Sequence, residues 1–595
     1  MNASQLQNRY RIFVIGISVA FFVLLCRFFY LQIYQRARYF QESERNRIQK
    51  IVLQPTRGIM YDRNGVVLVD NRPSYSVYAI PFETKKADSV FELTATILSM
   101  DVGEVKDKIR RYRRSQFAPV KLKRQIDFTT LSEIEENRLS LPGIIYDIEP
   151  RRAYSSGVRA PHLFGYLGEI TDNELEVAKD SGYRLGDIIG KKGLEKVYED
   201  VLQGLRGFRY VEVDAFGREV RTLKDKPEML PLPGKNLHLS IDAELQKFLE
   251  ARMDTLQGGA VVVDCRNGEV LALVSKPDYE PEIFTKPITQ DVWNGLINDP
   301  RKPLYDRMVQ SLYPPGSTFK LVVASAALES GLITKEWSSY CNGFLTFGRR
   351  TFECWKTVGH KDVDLTQAIA QSCNVYFYKL GPKLGIDTWS EYAKKFRFGE
   401  RTGIDLINEN AGLVPTQKYL DETYGAGKWS QGLMLNLAVG QGDLLVTPLQ
   451  LVSLAMIMAN KGVYHQIHLV RYIEDPIDGA QQQLRVDSTM IQGISDTTFN
   501  IVRNGMYEVV QGVHGTAKIC RFRDIHVAGK TGTAQNPHGD PHAWFIGFAP
   551  YEKPEIAFCV LVENGGSGSG NAAPIARGII DHYFHKSKRK LAYEF

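Results

Sequence analysis

The stretch SLYPPGSTFKLVVASAALESG, residues 311–331, contains a lysine where the pattern favours a buried helix. After Pro314-Pro315-Gly316 the sequence predicts a helix that starts at Ser317 or Thr318 and is apolar on nearly every face. Lys320 lies in its first turn, although an unpaired buried ammonium is costly. Ser317 and Lys320 are three residues apart, so their side chains share one helix face. Because a desolvated lysine has a lowered pKa, the pair is a candidate nucleophile beside its general base.

The S-x-x-K spacing alone is weak, because it occurs by chance in long chains. The ordinary alternative is that Ser317 caps the helix while Lys320 reaches solvent. Two further segments favour the catalytic interpretation. Ser372-Cys373-Asn374 precedes an aromatic, helix-like run, and Lys530-Thr531-Gly532 lies in a strand pattern. Their order and approximate spacing resemble those of penicillin-recognising serine acyltransferases, for which this triple of motifs is a known signature.

The composition is that of an ordinary globular protein. Of 595 residues, 44% are hydrophobic and 24% are charged. This argues against wholesale disorder, and the length allows about two to four domains. The net charge of +6 is small, and the basic tail at 585–590 is interpreted as a solvated end, so nucleic acid is not an expected partner. Seven cysteines are too few for a disulfide scaffold.

An apolar run near the N-terminus predicts a membrane anchor. Residues 12–33, IFVIGISVAFFVLLCRFFYLQI, contain a single charge, Arg27. About 20 apolar residues span a bilayer, and an arginine near one end can reach the interface. No small-residue cleavage site follows, which favours an uncleaved anchor over a signal peptide. The prediction is a tail at 1–11 and one span at 12–33, whose orientation the flanking arginines do not decide.

The turn-rich stretch at 224–236, KDKPEMLPLPGKN, is the best candidate for a domain boundary. Residues 34–225 mix hairpin patterns with charged helical patterns. Residues 236–588 begin with a strand, a helix and a hairpin about Asn267-Gly268, continue through a long helical middle, and return to strands. This order predicts an α+β domain, in which an antiparallel sheet carries a helical cluster on one side.

Several segments resemble the class B penicillin-binding proteins over nearly the whole chain. RGIMYDRNG, RRAYSSGVRAPHLFGYLGEI and GKKGLEKVYEDVLQGLRG resemble motifs of that family's non-catalytic module. GGAVVVDCRNGEVLALVSKPDYEP, AVGQGDLLVTPLQL and VENGGSGSGNAAPIAR resemble its transpeptidase-domain signatures. YPPGSTFK, CWKTVGHKDVDLTQAIAQSCNVYFYKLG and HGDPHAWFIGFAP together favour the elongation-type members. The resemblance implies an elongated, dimerisation-like pedestal at 34–225 and a transpeptidase domain at 236–588. It also implies a D,D-transpeptidase that cross-links peptidoglycan stem peptides during cell elongation and is a target of β-lactams.

The resemblance implies a role for each residue of the first two motifs. Ser317 would attack the carbonyl of the penultimate D-alanine of a stem peptide, and Lys320 would take its proton. Ser372 would relay the proton to the leaving amine. Asn374 would hold the substrate amide and Lys320.

The third motif would bind the substrate. Lys530 would supply a positive field for a substrate carboxylate, which the hydroxyls of Thr531 and Thr533 would bind. Gly532 would leave room for the substrate to pair along the strand edge. By the same resemblance, the backbone N–H groups of Ser317 and Thr533 would form the oxyanion hole.

Location and partners follow from the same resemblance. Because wall substrate lies outside the cytoplasmic membrane, the tail at 1–11 would be cytoplasmic and the catalytic domain periplasmic or extracellular. The substrates would be peptidoglycan and lipid-linked stem peptides, and β-lactams would be inhibitors. No glycosyltransferase pattern is recognisable at 34–225. The expected polymerase is therefore a separate SEDS-family glycosyltransferase of the RodA type, bound together with other elongation-complex proteins.

Four residues near the second motif suit a metal. They follow the spacing C-x12-C-x5-H-x12-C and are Cys341, Cys354, His360 and Cys373. Three thiols and an imidazole suit a structural zinc site, whereas the chemistry itself requires no cofactor. A disulfide between Cys341 and Cys354, or unpaired thiols, are the alternatives. As the middle residue of S-x-N, Cys373 is expected to point away from the catalytic pair.

Other functions share part of the pattern. A class A β-lactamase would need an E-x-x-L-N segment after S-x-N, and the corresponding DLINENAGLVP lacks it. A D,D-carboxypeptidase uses water as acceptor, but its pedestal motifs would not match. A non-catalytic β-lactam receptor would be expected to add membrane spans or a signalling domain, and no such pattern is recognisable. The intact Ser317, Lys320 and Lys530 argue against a pure scaffold.

Overall fold

The structure is a computed structural model in which two compact units can be distinguished. It describes residues 3–40, 48–84, 88–113, 116, 118–178, 183–213, 219–223, 225–286 and 288–586. The first unit comprises Met1–Thr56, Ser74–Glu149 and Gly204–Leu232, and the second comprises Arg57–Pro73, Pro150–Gln203 and Pro233–Phe595. Most of the basic tail predicted at 585–590 and the first two residues of the predicted cytoplasmic tail lie outside the described residues.

The first unit opens with a long apolar helix. Ala3–Phe29 is α-helical and continues into a wider π turn at Tyr30–Tyr34. The segment Asn8–Tyr34 has a mean hydropathy of 2.6 over its most apolar window, none of which is buried in the protein. By length and composition it can cross a membrane, which is consistent with the single-pass anchor predicted at 12–33.

The rest of the first unit is a small α+β module with its own apolar core. Three helices pack around that core: Asp88–Leu98, Val102–Tyr112 and Phe128–Glu136. Val120–Ile126 pairs with the latter half of the strand Val67–Ala79. A separate three-stranded antiparallel sheet has the order Ile48–Leu53, Gly207–Val213, Glu219–Thr222. The remaining elements are Pro81–Thr84, Arg138–Ser140 and the greater part of Ile144–Ala153.

The second unit is built on a five-stranded antiparallel sheet. Its order is Val270–Lys276, Gly258–Asp264, Ile556–Val562, His542–Ala549, Ala528–Ala534. The predicted hairpin about Asn267-Gly268 is confirmed, with Gly268 at a φ of +82°. Every residue of the first three strands in this order is buried, so both faces of the sheet are covered. Three helices pack on the sheet: Ala243–Arg252, Pro448–Ala459 and Ala573–Asp581.

A cluster of helices adjoins the sheet and confirms the predicted α+β class. Its members are Lys320–Glu329, Leu365–Ala370, Asn374–Lys395, Gly432–Ala438 and Asp496–Gln511. The first eight residues of Lys320–Glu329 are all buried, as its apolar pattern predicts. The start predicted for this helix was early, because Gly316–Phe319 forms a tighter 3-10 turn and the α-helix begins at Lys320. The Ser317 side chain therefore caps nothing.

Part of the predicted pedestal groups with the catalytic unit. Residues 57–73 and 150–203 belong to the second unit, where Met60–Tyr61 pairs in parallel with Asn236–Leu239. The other strands of this unit are Leu167–Glu169, Ile188–Gly190, Ser339–Cys341, Phe344–Phe347, Arg350–Glu353, Lys361–Val363, Val463–His465, Val470–Glu474, Gln481–Gln483 and Ser488–Met490. Its other helices are Pro161–Phe164, Asp172–Val177, Gly193–Val197, Glu199–Leu202, Gln290–Asn298 and Gln417–Tyr424.

Candidate active site

The 3-10 turn that carries Ser317 is held by a close backbone contact. The Gly316 N–H donates to the Gly440 carbonyl at 2.8 Å. Gly440 has a φ of +70°, and a Cβ added there would lie 2.1 Å from the Gly316 carbonyl oxygen. A side chain at Gly440 would therefore displace the turn. Gly440 belongs to the segment AVGQGDLLVTPLQL, which therefore helps to position the candidate nucleophile.

The same turn packs against the edge strand Ala528–Ala534, which carries the third motif. A Cβ at Gly532 would lie 2.8 Å from the Cβ of Trp544 and 3.0 Å from the Cγ2 of Thr318. The absence of a side chain at Gly532 is thus needed for the turn to approach the strand. This packing requirement is additional to the predicted role of Gly532, which is to leave room for a substrate along the strand. Because the strand is the last in its sheet, one of its edges has no strand neighbour within the sheet.

Lys320 is completely buried and fully partnered. Its Nζ donates to the carbonyl of Ser372 at 2.9 Å, to the Oδ1 of Asn374 at 2.7 Å and toward the hydroxyl of Ser372 at 3.4 Å. The face of the Phe377 ring lies 5.4 Å away. These contacts explain how a lysine is tolerated in an apolar helix, since each of its donors has an acceptor.

Lys530 reaches the same hydroxyl from the sheet. Its Nζ donates to the Ser372 hydroxyl at 2.8 Å and to the Thr531 carbonyl at 3.0 Å, and its side chain is also completely buried. Ser372 has a φ of 56°, a strained conformation for a residue other than glycine. Its hydroxyl therefore lies between two lysines that come from elements far apart in the sequence.

Burial lowers the pKa of both lysines, and the charge of Lys320 adds to the lowering at Lys530. Desolvation lowers the pKa of Lys320 to about 8, against its ordinary value near 10.5. Desolvation also lowers the pKa of Lys530, and the charge of Lys320 lowers it further. Two amines that both contact one serine hydroxyl cannot both be protonated without an electrostatic cost. The site thus favours a state in which only one of the two lysines is charged.

The hydroxyl of Ser317 is free to react. The side chain is half-buried, and none of the hydrogen bonds among the described residues uses its Oγ. A nucleophile that is not yet hydrogen-bonded to its base is common before substrate binds, because such contacts tighten in the reacting complex.

The two threonines of the third motif differ in their surroundings. The Thr531 hydroxyl is buried and shares a 2.8 Å hydrogen bond with the Thr516 hydroxyl. Thr533 is exposed, and its carbonyl accepts a hydrogen bond from the Nε2 of Gln441 at 3.3 Å. Thr533 is therefore the better placed of the two to meet a ligand from solvent.

Three residues at the site carry no role in the sequence-based prediction. They are Gly440, Gln441 and Thr516, which contact the Ser317 turn, Thr533 and Thr531 respectively. Glycine-flanked polar residues in AVGQG and GVHGTAK are the only local signals for them. Such patterns are common in loops, so the contacts became visible only in the folded chain.

The predicted metal ligands form one buried cluster beside this site. One ligand atom from each of Cys341, Cys354, His360 and Cys373 lies within 4.8 Å of the others. The His360 Nδ1 lies 3.6 Å from the sulfur of Cys341 and 3.5 Å from that of Cys354. All seven cysteines are free thiols in the structure. Cys373 joins this cluster while its neighbours Ser372 and Asn374 contact Lys320, as expected for the middle residue of S-x-N.

Comparison with known families gives two matches that together cover most of the chain. Residues 52–239 match the penicillin-binding protein dimerisation domain. Residues 258–581 match the penicillin-binding protein transpeptidase domain.

Individual relatives match along nearly their whole length. The peptidoglycan D,D-transpeptidase MrdA of Haemophilus influenzae is 34% identical over 96% of this chain and 91% of its own. Penicillin-binding protein 2 of Helicobacter pylori, solved as a complex with MreC, has a TM-score of 0.79 and 31% identity over 90% of this chain and 99% of its own. A structure described as the structural coordination of polymerization and crosslinking by a peptidoglycan synthase complex has a TM-score of 0.71 and 27% identity. It covers 97% of this chain and 98% of its own.

Proposed function

The chain belongs to the class B penicillin-binding proteins of the PBP2 (MrdA) type, and from that premise we propose how its residues carry out the family's reaction. It is a peptidoglycan D,D-transpeptidase that acts in cell elongation and cell shape, and a target of β-lactams. The PBP transpeptidases need no cofactor for this chemistry. The observation that supports the residue roles best is the position of the Ser372 hydroxyl between Lys320 and Lys530.

Acylation begins at Ser317. Its Oγ attacks the carbonyl carbon of the penultimate D-alanine, and the neutral amine of Lys320 takes the hydroxyl proton. The backbone N–H groups of Ser317 and Thr533 stabilise the oxyanion of the tetrahedral intermediate. When the C–N bond breaks, the terminal D-alanine leaves as an amine after it receives a proton from Lys320 through the Ser372 hydroxyl. The product is an ester on Ser317.

Transfer runs through the same groups in reverse. The side-chain amine of a neighbouring stem peptide attacks the ester carbonyl and gives its surplus proton to the Ser372–Lys320 pair. The C–O bond to Ser317 breaks, and the serine oxygen regains a proton from Lys320. An amide between two stems results, which is the cross-link.

The terminal carboxylate of the donor is proposed to bind at the third motif and to affect the charge of Lys530. The terminal carboxylate of the donor stem lies against Lys530, with Asn374 and Thr533 as neighbouring polar groups. The hydroxyl of Thr531, which is hydrogen-bonded to that of Thr516, is proposed to contribute to binding the same carboxylate. A carboxylate beside Lys530 favours the charged form of that lysine, which then holds the donor by charge pairing.

The transferase activity is tested with uncross-linked peptidoglycan whose stems end in D-Ala-D-Ala. We expect one D-alanine released for each cross-linked stem pair, measured by mass spectrometry of the digested product. A boiled sample provides the blank. D-alanine released without cross-linked pairs would instead identify a D,D-carboxypeptidase, which we propose only as a side activity.

We propose that the cysteine–histidine cluster holds a structural zinc ion. A tetrahedral zinc with Zn–S near 2.3 Å and Zn–N near 2.05 Å places sulfur and nitrogen about 3.6 Å apart. The two S···N distances of 3.6 and 3.5 Å fit that geometry. Three thiolates and one imidazole are a standard donor set for structural zinc. Bound there, the ion would tie Cys373, and hence Ser372 and Asn374, to the strand Ser339–Cys341 and to the segment between the strands Arg350–Glu353 and Lys361–Val363.

The zinc proposal predicts a stoichiometric metal. We expect close to one equivalent of zinc in purified protein, and a loss of most of it together with a lower Tm in Cys354→Ser. Cys26→Ser, in the N-terminal helix, is the matched control and is expected to keep both. Less than about 0.2 equivalents in the wild type would contradict the site. So would a mass 2 Da below the reduced value without reductant (about two hydrogens), which indicates a disulfide.

Partners are proposed at two levels. Elongation-complex proteins and peptidoglycan are supported, because one solved relative is bound to MreC and another belongs to a peptidoglycan synthase complex. We infer further that the polymerase partner is a SEDS-family glycosyltransferase of the RodA type, and that stem peptides arrive on lipid-linked strands. We also propose that the anchor crosses the cytoplasmic membrane once, with 1–11 inside and the catalytic domain on the periplasmic or extracellular side.

The division of labour along the chain is likewise a proposal. We assign 34–225 to a non-catalytic pedestal and 236–588 to the transpeptidase domain. Residues 57–73 and 150–203 belong to the pedestal by sequence pattern, yet they pack within the compact unit that holds the catalytic residues.

A further inference from the structure

A polar cavity of about 50 Å³ lies in the second unit, lined by residues of the segment RRAYS. Its lining residues are Arg72, Arg151, Arg152, Ala153, Tyr154, Ser155 and Glu282. None of these belongs to the motifs assigned to transpeptidation. The lining is unusual because three guanidinium groups meet one carboxylate there.

Arg152 is buried with one donor left over. The residue is only 4% exposed. Its Nε donates to the Oε1 of Glu195 at 2.8 Å and its Nη1 donates to the Oδ1 of Asn71 at 3.1 Å. Its Nη2 is buried and has no hydrogen-bond partner in the structure. An unmet charged donor at such depth is costly, and the cavity is where an acceptor would fit.

The surrounding charges do not cancel at the cavity. Arg57 and Arg152 are balanced by Glu195 and Glu199, which accept all the ion-pair contacts of those two arginines. Arg151 and Arg72 line the cavity in addition, and neither has an ion-pair partner among the described residues.

Among the described residues that line the cavity, Glu282 is the one carboxylate that offsets these two charges. It is exposed and likewise has no ion pair among the described residues. The cavity therefore keeps a net positive charge.

Water alone would leave that charge in place. A cavity of this volume has room for several water molecules, which would satisfy the Nη2 of Arg152. Water would not neutralise the charges of Arg72 and Arg151, which line the cavity. The planar, forked donors of arginine match the oxygens of phosphate groups, and clusters of arginines are typical of phosphoryl recognition.

We propose that this cavity is a binding site for a phosphoryl anion, held by Arg72, Arg151 and the Nη2 of Arg152. The ligand is a free phosphate or diphosphate ion, or the phosphoryl group of a lipid headgroup, since both present the same oxygens. The site lies outside the transpeptidation residues and goes beyond the proposed function. Glu282 limits the affinity because its carboxylate repels the ligand and competes for the same guanidinium groups.

The test uses the full-length protein in detergent with inorganic diphosphate as the probe. We expect a saturable rise in Tm of about 2 °C in the wild type. The Kd is expected to be about tenfold weaker in Arg151→Gln and in Arg72→Gln, because each loses a charged hydrogen bond. Glu282→Gln is expected to bind diphosphate more tightly than the wild type. Arg152 itself is left intact, since its loss would also unbalance the buried Glu195.

Controls separate this site from general charge effects and from catalysis. Arg252→Gln, an exposed arginine at the end of the helix Ala243–Arg252, is expected to match the wild type. Ser317→Ala is expected to keep the diphosphate response. A failure of the phosphoryl-binding proposal can therefore be distinguished from a failure of the proposed transpeptidase site. No response in the wild type, an equal response in every variant, or tighter binding of acetate than of phosphate would overturn the proposal.

The source of the phosphoryl group is resolved with vesicles. Phosphatidylcholine vesicles with and without phosphatidylglycerol are compared for binding of wild type and Arg151→Gln. A preference for phosphatidylglycerol that Arg151→Gln lowers supports a lipid headgroup. No such difference, together with the diphosphate response, supports a free ion.

Discussion

Ser317→Ala is expected to abolish covalent labelling by a fluorescent penicillin, with a loss of at least about 10⁴-fold in the acylation rate. The alanine removes the only atom that forms the acyl bond. The half-buried turn keeps its backbone contact with Gly440, so the fold should be retained. Labelling is measured by in-gel fluorescence over time. Wild-type label that persists for many minutes also separates a transpeptidase from a β-lactamase, which would hydrolyse it.

A serine on the following helix supplies the control for this variant. Ser325 is completely buried and its hydroxyl donates to the Leu321 carbonyl at 2.9 Å, within the helix. Ser325→Ala is expected to label like the wild type. Label that remains in Ser317→Ala would place the nucleophile elsewhere and would remove the basis for every role assigned to the three motifs.

Lys320→Met is expected to lower the acylation rate by about 10³-fold while the protein stays folded. Methionine has nearly the same length and fills the same space without a proton acceptor. It removes a charge whose burial is unfavourable but leaves the Asn374 Oδ1 and the Ser372 carbonyl without their donor. Because these effects oppose one another, we expect a shift in Tm of no more than a few degrees.

The combination of results distinguishes a base from a structural lysine. A general base predicts lost acylation with a Tm that shifts by no more than a few degrees and with penicillin still bound reversibly. A purely structural lysine predicts that labelling and Tm fall together. Lys418→Met, at an exposed position of the helix Gln417–Tyr424, is the control and should change neither. Full activity in Lys320→Met would show that another group accepts the proton.

Several features of this chain were predictable from local sequence patterns alone. The apolar run at 12–33 and the helix at 3–29 overlap because hydropathy and length are properties of a continuous segment. The hairpin about Asn267-Gly268 was predictable because the turn conformation requires a residue that tolerates a positive φ. The clustering of Cys341, Cys354, His360 and Cys373 was predictable from donor type and spacing.

Other features depended on packing between distant segments. The start of the helix at Lys320 was placed too early, because a serine before an apolar run resembles an N-cap and the 3-10 turn has no distinct local signature. Gly440 had no assigned role, since its need for a bare Cα arises only where the Gly316 carbonyl approaches it. The grouping of 57–73 and 150–203 with the catalytic residues was likewise invisible in composition.

Sequence pattern alone identifies the residues that are capable of the chemistry: a serine and a lysine one helical turn apart, followed by S-x-N and K-T-G. The contact of both Lys320 and Lys530 with one hydroxyl, that of Ser372, is visible only in the folded chain. Residue types and spacings specify donors, acceptors and local conformation. The distance between elements more than 150 residues apart in the sequence is set by how their surfaces pack. This packing buries Lys320 beside Ser372 and Lys530, and burial lowers the pKa of Lys320 so that it can act as a general base.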